Sequence, residues 1–156
     1  MDDLEIHDER IDSEVGGPLV GAQWRELMTR YGVAEANAGF DALDPEHFTP
    51  PHGAFVVAWI DGAPVGCGGV RPFDDVSGEI KRMYVVPSAR RRGIAVRVLQ
   101  TVEDRARGLG YARLVLETGI AQPEAISLYE REGYTGVPGF GPHADLDVLR
   151  WYAKLL

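Results

Sequence analysis

The sequence predicts an α/β fold built on a sheet of mixed direction, and three patterns point to it. The apolar run Ala54 to Ile60, the turn pair Asp61-Gly62 and the run Pro64 to Val70 read as a β-hairpin. Glu79 to Val86, stopped by Pro87, is followed by a helical repeat and then by the strand-like Arg113 to Thr118. That succession is a βαβ unit, which requires parallel strands. The full predicted order is β-α-α-β-β-β-α-β-α-β, so helices cover the faces of one sheet.

Element by element, Leu4 to Ile11 alternates apolar and polar residues as a surface strand does, until Gly16-Gly17-Pro18 breaks the pattern. A first helix follows, with Pro18 in its opening turn and Leu19, Ala22, Leu27 and Tyr31, with Trp24, roughly on one face. From Gly32 to Pro51 the pattern predicts a short helix near Ala34–Phe40 and a loop rich in Asp and Pro. After the hairpin, Phe73 to Gly78 is a turn-rich connection into the fourth strand. Ile94, Val98, Leu99, Val102, Ala106 and Leu109 then recur at helical spacing, and Gly108 and Gly110 end that helix. Pro123 to Glu132 reads as another helix, opened by Pro and closed by Gly133, with Ala125, Ile126, Leu128 and Tyr129 inward. Tyr134 to His143 is predicted to loop over a sheet edge, and Val148 to Leu155 to form the last strand.

A chain of 156 residues suits one domain, 1–156, with a full hydrophobic core. The formal charge is −8, yet Lys81, Arg82, Arg90, Arg91, Arg92, Arg97, Arg105 and Arg107 place half of the 16 basic residues between positions 81 and 107. Such a balance repels nucleic acid and anionic membrane at long range but permits a small polyanion at one basic spot. The single Cys67 excludes an intrachain disulfide and a multi-cysteine metal site, and its strand-like context predicts a packed, inert thiol. No basic leader precedes an apolar segment and no apolar stretch is long enough for a bilayer, so cytoplasmic residence is expected.

The junction from Glu79 to Ala95, Glu-Ile-Lys-Arg-Met-Tyr-Val-Val-Pro-Ser-Ala-Arg-Arg-Arg-Gly-Ile-Ala, is a strand that turns into a helix through arginine and glycine. The unpaired N–H groups of a first helical turn, the helix dipole and the close backbone approach allowed by Gly93 make such a junction a phosphate site. Arg90, Arg91 and Arg92 add formal charge there.

With Leu128-Tyr129-Glu130 and Gly133-Tyr134, this junction resembles the GNAT superfamily of acetyl-CoA-dependent N-acetyltransferases, over about positions 54 to 135. The family's cofactor signature is Gln or Arg, two residues, Gly, one residue, then Gly or Ala; Arg90, Gly93 and Ala95 satisfy it. The resemblance implies a mostly antiparallel sheet whose fourth and fifth strands splay apart and hold acetyl-CoA. Met83, Tyr84 and Val85 would line the pantetheine, with the Met83 N–H toward the thioester carbonyl, where a fixed dipole stabilises developing charge. Met83 and Val85 also fit as plain core residues of a buried strand. Arg90, Arg91, Arg92, Gly93, Ile94, Ala95 and Val96 would hold the phosphates. Gln122 stands where the family often has Asn.

The resemblance also implies catalytic roles. Glu79 falls where many members carry the base that deprotonates the amine, and Glu117 near the end of the fifth strand competes for that role. Glu79 serves equally well as an edge carboxylate paired with Lys81 or Arg82. Tyr129 falls where the general acid protonates the CoA thiolate, although a tyrosine on an inward helix face also packs. The implied activity is direct acetyl transfer to a primary amine in a ternary complex. Residues 18 to 52 and the loop 136 to 144 would shape the acceptor pocket, and Glu35, Asp41, Asp44 and Glu46 could attract a cationic amine. The expected partner is a small-molecule amine, with a homodimer as an option and no nucleic acid. The rivals are a non-catalytic acyl-CoA sensor and an acetyltransferase for a protein N-terminus or lysine.

Other signals do not lead to a site. Gly139-Phe-Gly141-Pro-His-Ala144 imitates a dinucleotide fingerprint, but too little chain follows for the required helix and strand. His7, His47, His52 and His143 lack metal-ligand spacing, which predicts no metal. No glycine-flanked serine nucleophile is present.

Overall fold

A computed structural model describes residues 3–32 and 43–156. Its strands are β1 (Leu4–Asp8), β2 (Ala54–Ile60), β3 (Ala63–Pro72), β4 (Ser77–Val85), β5 (Arg113–Gly119), β6 (Thr135–Val137) and β7 (Leu149–Leu155). They form one sheet in the order β1-β2-β3-β4-β5-β7-β6. Every pair is antiparallel except β4 with β5. The helices are α1 (Gly16–Tyr31), α2 (Ile94–Gly108) and α3 (Pro123–Arg131), with short 3-10 segments at Pro45–Phe48 and Pro87–Ala89. The expected helix near Ala34–Phe40 lies outside the described residues.

Local chemistry explains these boundaries. Asp61 and Gly62 both take positive φ, 50° and 77°, which matches the twist of a two-residue hairpin between β2 and β3. The α2 helix opens after Gly93 and α3 opens on Pro123. The expected strand from Leu4 to Ile11 is shorter, ending at Asp8, and Ile11 instead packs under α1. The segment after Tyr134 is not all loop: Thr135–Val137 adds β6 to the outer edge of β7. Three polar or small residues at an edge carry too little pattern to announce a strand.

Two apolar clusters sandwich the sheet. On one face Val56, Ala58, Val70, Ile80, Leu114 and Leu116 pack against Ile94, Val98, Leu99 and Val102 of α2 and Leu128 and Tyr129 of α3. On the other, Phe55, Val57 and Cys67 pack with Leu19 of α1 and Phe48. Cys67 is buried, its thiol donates to the Arg82 carbonyl at 3.3 Å, and burial pushes its pKa up to about 12, as an inert packed thiol requires.

Two irregularities in β4 position the site. Between the pairs Cys67–Tyr84 and Gly69–Lys81, Gly68 faces both Arg82 and Met83, so β4 carries a β-bulge with Arg82 at φ 61°. The parallel ladder with β5 runs only from Ser77–Arg113 to Glu79–Val115. Beyond it the two strands part.

Candidate active site

Where β4 and β5 separate they enclose a cleft of about 640 Å³. Its walls are Ile80 to Val85 of β4, Glu117 to Gly119 of β5, the loop into α2, and the facing sides of α1 and α3. Of the residues expected to hold a cofactor, Met83, Tyr84, Val85, Arg90, Arg91, Gly93, Ile94, Ala95, Val96, Gln122 and Tyr129 all line it. Arg92 is exposed beside the mouth and outside the lining. Glu79 does not reach this cleft.

The mouth is shaped by backbone. Arg91 at φ 64° and Gly93 at φ 76° are both left-handed, and they curl the chain just before the first turn of α2. A non-glycine residue held there carries strain of the kind found at ligand clamps. The opening N–H groups of α2 have no intrahelical acceptor, and a curled main chain directs successive N–H groups into one concavity suited to an anion. A Cβ placed on Gly93 would meet nothing within 4 Å, so the space in front of this turn is open.

Arg90 behaves differently from its neighbours. Its Nε donates to the Val85 carbonyl at 2.9 Å, its guanidinium pairs with Glu26 of α1 and lies 5.7 Å from the centre of the Tyr84 ring. It braces the strand against α1 instead of reaching outward.

The α1 helix roofs the cleft, a contribution with no local signature in sequence. Gln23 donates to the Met83 carbonyl at 2.9 Å. At the other end Arg30 donates to the Ala121 carbonyl at 2.9 Å and pairs with Glu124, and Tyr31 accepts from the Ala121 N–H at 3.0 Å. Any side chain at Gly119 would overlap the Tyr31 ring, so glycine there admits the helix to the end of β5. One helix therefore touches both separated strands. The carbonyls of Met83 and Val85, expected to meet a ligand, already receive protein donors, although each oxygen has a second lone pair.

Tyr129 faces the cleft from α3 at 5% exposure, and burial holds its phenol well above the ordinary range. It therefore keeps its proton at working pH. Its ring meets Tyr134 edge to face at 5.6 Å, and the Tyr134 hydroxyl donates to Glu103 at 2.7 Å.

A second cavity of about 290 Å³ adjoins the cleft, lined by His47, Arg71, Glu79, Glu117 and His143 with Phe73 and Phe140 stacked edge to face at 5.0 Å. A run of part-buried and buried charged side chains links it to Lys81 on the cleft wall. Arg71 Nε and Nη2 both lie 3.0 Å from Glu79 Oε1. Lys81 Nζ stands 3.8 Å from Glu79 Oε2 and 3.7 Å from Glu117 Oε1. His143 Nδ1 is 3.1 Å from the same Glu117 oxygen. Both expected candidates for the base thus share one cavity, and Glu117 alone of the two also lines the cleft. Arg71 belongs to no motif, and Lys81 and His143 lie inside quoted segments that gave neither of them a role in catalysis.

The acidic residues expected to attract an amine are placed elsewhere. Asp44 caps the 3-10 segment through the Glu46 N–H at 3.0 Å, and Glu46 pairs with Arg10. Both are surface contacts, and neither residue lines the cleft or the second cavity. Glu35 and Asp41 lie outside the described residues. Among the described residues no group of His, Cys, Asp and Glu is placed to hold a metal ion, and no helix is long and apolar enough to cross a membrane.

A mixed sheet with splayed central strands, a left-handed anion turn and a buried tyrosine facing the gap define an acyltransferase of the GNAT class. Residues 21–134 match the Acetyltransferase (GNAT) family, and the chain belongs to it. An IAA acetyltransferase of Azospirillum brasilense is 40% identical over 102 residues, 65% of this chain and 67% of the relative. An uncharacterized N-acetyltransferase of Escherichia coli is 29% identical over 143 residues, 84% of this chain and 85% of the relative. A GNAT family acetyltransferase from Elizabethkingia anophelis, solved with acetyl-CoA bound, shares the fold at a TM-score of 0.71, with 20% identity and all of both chains covered.

Proposed function

We propose that this N-acetyltransferase moves the acetyl group of acetyl-CoA to the primary amine of a small molecule by direct attack in a ternary complex. The observation that carries the proposal is the junction of two unlike cavities at Glu117: a cleft whose mouth holds the left-handed turn of Arg91 and Gly93, and a smaller charged chamber beside it. A donor in the first and an amine in the second would meet at the splay.

The residues fit the donor. The curled turn at Arg91 to Gly93 and the start of α2 suit its pyrophosphate, Arg91 and Arg92 its remaining phosphate, and the unladdered part of β4 its amide-bearing arm. The Met83 N–H, next to the bulge, is the donor to the thioester oxygen. The amine nitrogen forms a bond to the acetyl carbon as the C–S bond breaks. Its proton passes to the titratable groups of the charged chamber, and Tyr129 supplies a proton to the departing thiolate. The confined chamber, with Phe73 and Phe140 on its wall, favours a small acceptor over a protein surface.

The test is CoA thiol release from acetyl-CoA across a panel of primary amines, amino acids, polyamines and lysine peptides. Turnover with at least one small amine, with no acetylated protein intermediate by mass spectrometry, is the expected result. Acetyl-CoA binding without transfer to any amine would favour a sensor. Turnover on lysine peptides alone would move the acceptor to proteins.

A further inference from the structure

We infer that the acceptor is a monoamine with an aromatic side group and no carboxylate, its nitrogen held at Glu117 and its ring against Phe73 and Phe140. The inference rests on the acetyltransferase reading and names the class of amine that the second cavity takes. Among the described residues Glu117 alone borders both the cleft and this chamber, so an amine bound in the chamber meets the donor beside that carboxylate. Phe73 and Phe140 border the chamber and not the cleft.

The aromatic pair is assembled from distant parts of the chain. Phe73 comes from the connection between β3 and β4 and Phe140 from the connection between β6 and β7, and their rings meet edge to face at 5.0 Å with 69° between the planes. Pro72 and Pro142 flank them on the chamber wall, and the fixed φ of proline stiffens both segments. Phe73 is nevertheless 38% exposed. A large ring left open to water on a cavity wall is apolar area that a ligand can bury, and a further ring set against the pair adds an aromatic contact to that burial. At about 290 Å³ the chamber lies at the small end of ligand pockets, which suits one ring on a short arm.

The charges decide what else the acceptor carries. Arg71 is engaged by Glu79 through Nε and Nη2, both at 3.0 Å, so a substrate carboxylate would compete with one already in place. Lys81 stands 3.7 Å from Glu117 and 3.8 Å from Glu79. These two cations and two anions alternate, and the imidazoles of His47 and His143 add no negative charge. The chamber therefore has no surplus of negative charge to draw a polyamine. A second ammonium would lie beside Phe73, Phe140 and two prolines, a poor replacement for its water.

Two measurements test the assignment. In the first, kcat/KM with acetyl-CoA is compared at one pH for 2-phenylethylamine, ethylamine, phenylalanine and putrescine, each corrected for its fraction of neutral amine. 2-Phenylethylamine should lead ethylamine by about 10–100-fold and the other two by about tenfold or more. Phe140→Ala, and separately Phe73→Ala, should shrink the lead over ethylamine to a few fold, chiefly through KM. Phe140→Leu serves if the Ala variant does not fold. Glu117→Gln should raise KM for 2-phenylethylamine about tenfold, and an unchanged KM would overturn the seat of the nitrogen. No lead over any one of the three other amines, or an undiminished lead in the folded Phe variants, would overturn the inference. The second measurement needs no chemistry: saturation-transfer NMR follows the ring protons of 2-phenylethylamine with CoA in place of acetyl-CoA. A ring signal in the parent and its loss in the Phe variants are expected, and equal signals would overturn the inference. If no amine of the panel is acetylated, the functional proposal fails by itself and the ring signal still decides whether the chamber takes an aromatic amine.

Discussion

At the mouth of the cleft the shape is set by the main chain, with Arg91 and Gly93 in left-handed conformations at the start of α2. In the adjoining chamber the charged and titratable groups are side chains, Arg71, Glu79, Glu117 and His143, brought from three strands and a loop, with Lys81 of the cleft wall between the two carboxylates. The first region needs a backbone shape and tolerates changes of side chain; the second needs particular side chains at particular distances. A cosubstrate common to a family suits the first design, and an acceptor peculiar to one enzyme suits the second.

The sharpest test of that division is Gly93→Asp. A Cβ there meets open space and Asp tolerates positive φ better than most residues, so the fold should persist. The carboxylate would occupy the anion position, and acetyl-CoA affinity should fall about 10³-fold, some 4 kcal/mol by calorimetry. An unchanged affinity would show that the mouth is not a phosphate site.

Tyr129→Phe removes one hydroxyl from the wall of the cleft and should lower kcat about 10²-fold with acetyl-CoA affinity retained. The same variant carries a pH signature. Because burial raises the Tyr129 phenol above its unfolded value, its contribution to stability is full below about pH 10 and is lost as pH rises beyond that. The Phe variant should therefore lose less melting temperature between neutral and strongly alkaline pH than the parent. Equal losses would place the hydroxyl in water.

Glu79→Gln breaks the centre of the charge run while leaving a neutral acceptor. Arg71 and Lys81 then face each other without the intervening anion, and stability should drop by about 2–3 kcal/mol in denaturant unfolding. The shape of the pH–rate profile should survive. Loss of its neutral limb would assign the base role to Glu79.

The smallest effect is expected from the double change Arg91→Ala with Arg92→Ala. Both side chains are exposed, so they should contribute about tenfold to CoA affinity and less to dephospho-CoA. Equal weakening of the two ligands would mean that these arginines act on the pyrophosphate and not on the ribose phosphate.

The same contrast explains what was legible in the sequence. Arg90 to Val96 form a contiguous strand-to-helix turn, so proline, glycine and the helical repeat announce it locally. The hairpin at Asp61-Gly62 and the closure of α3 before Gly133 are announced in the same way. The chamber has no such signature. Arg71 and Glu79 become neighbours only through the β3–β4 register, and Glu117 and His143 only when the β6–β7 connection folds over β5. The histidines look scattered along the chain, and the contact of His143 with Glu117 spans 26 residues of sequence. Gln23, Arg30 and Tyr31 read as ordinary positions of an amphipathic helix, and their contacts appear only once α1 lies across the splay. Arg90 matches the signature by type, yet its side chain serves the scaffold.

The splay creates something that most proteins avoid: two strand edges with no ladder partner, β4 beyond Glu79 and β5 beyond Val115 on their facing sides. An edge left bare is a template on which another chain can add a strand, and so a route to aggregation. Here Gln23 and Arg90 sit on the Met83 and Val85 carbonyls, and α1 lies over the gap. Those side chains cover two acceptors of the inner edge that a second strand would otherwise use. Removing both should leave a protein that stays dispersed when its donor is abundant and self-associates when it is scarce.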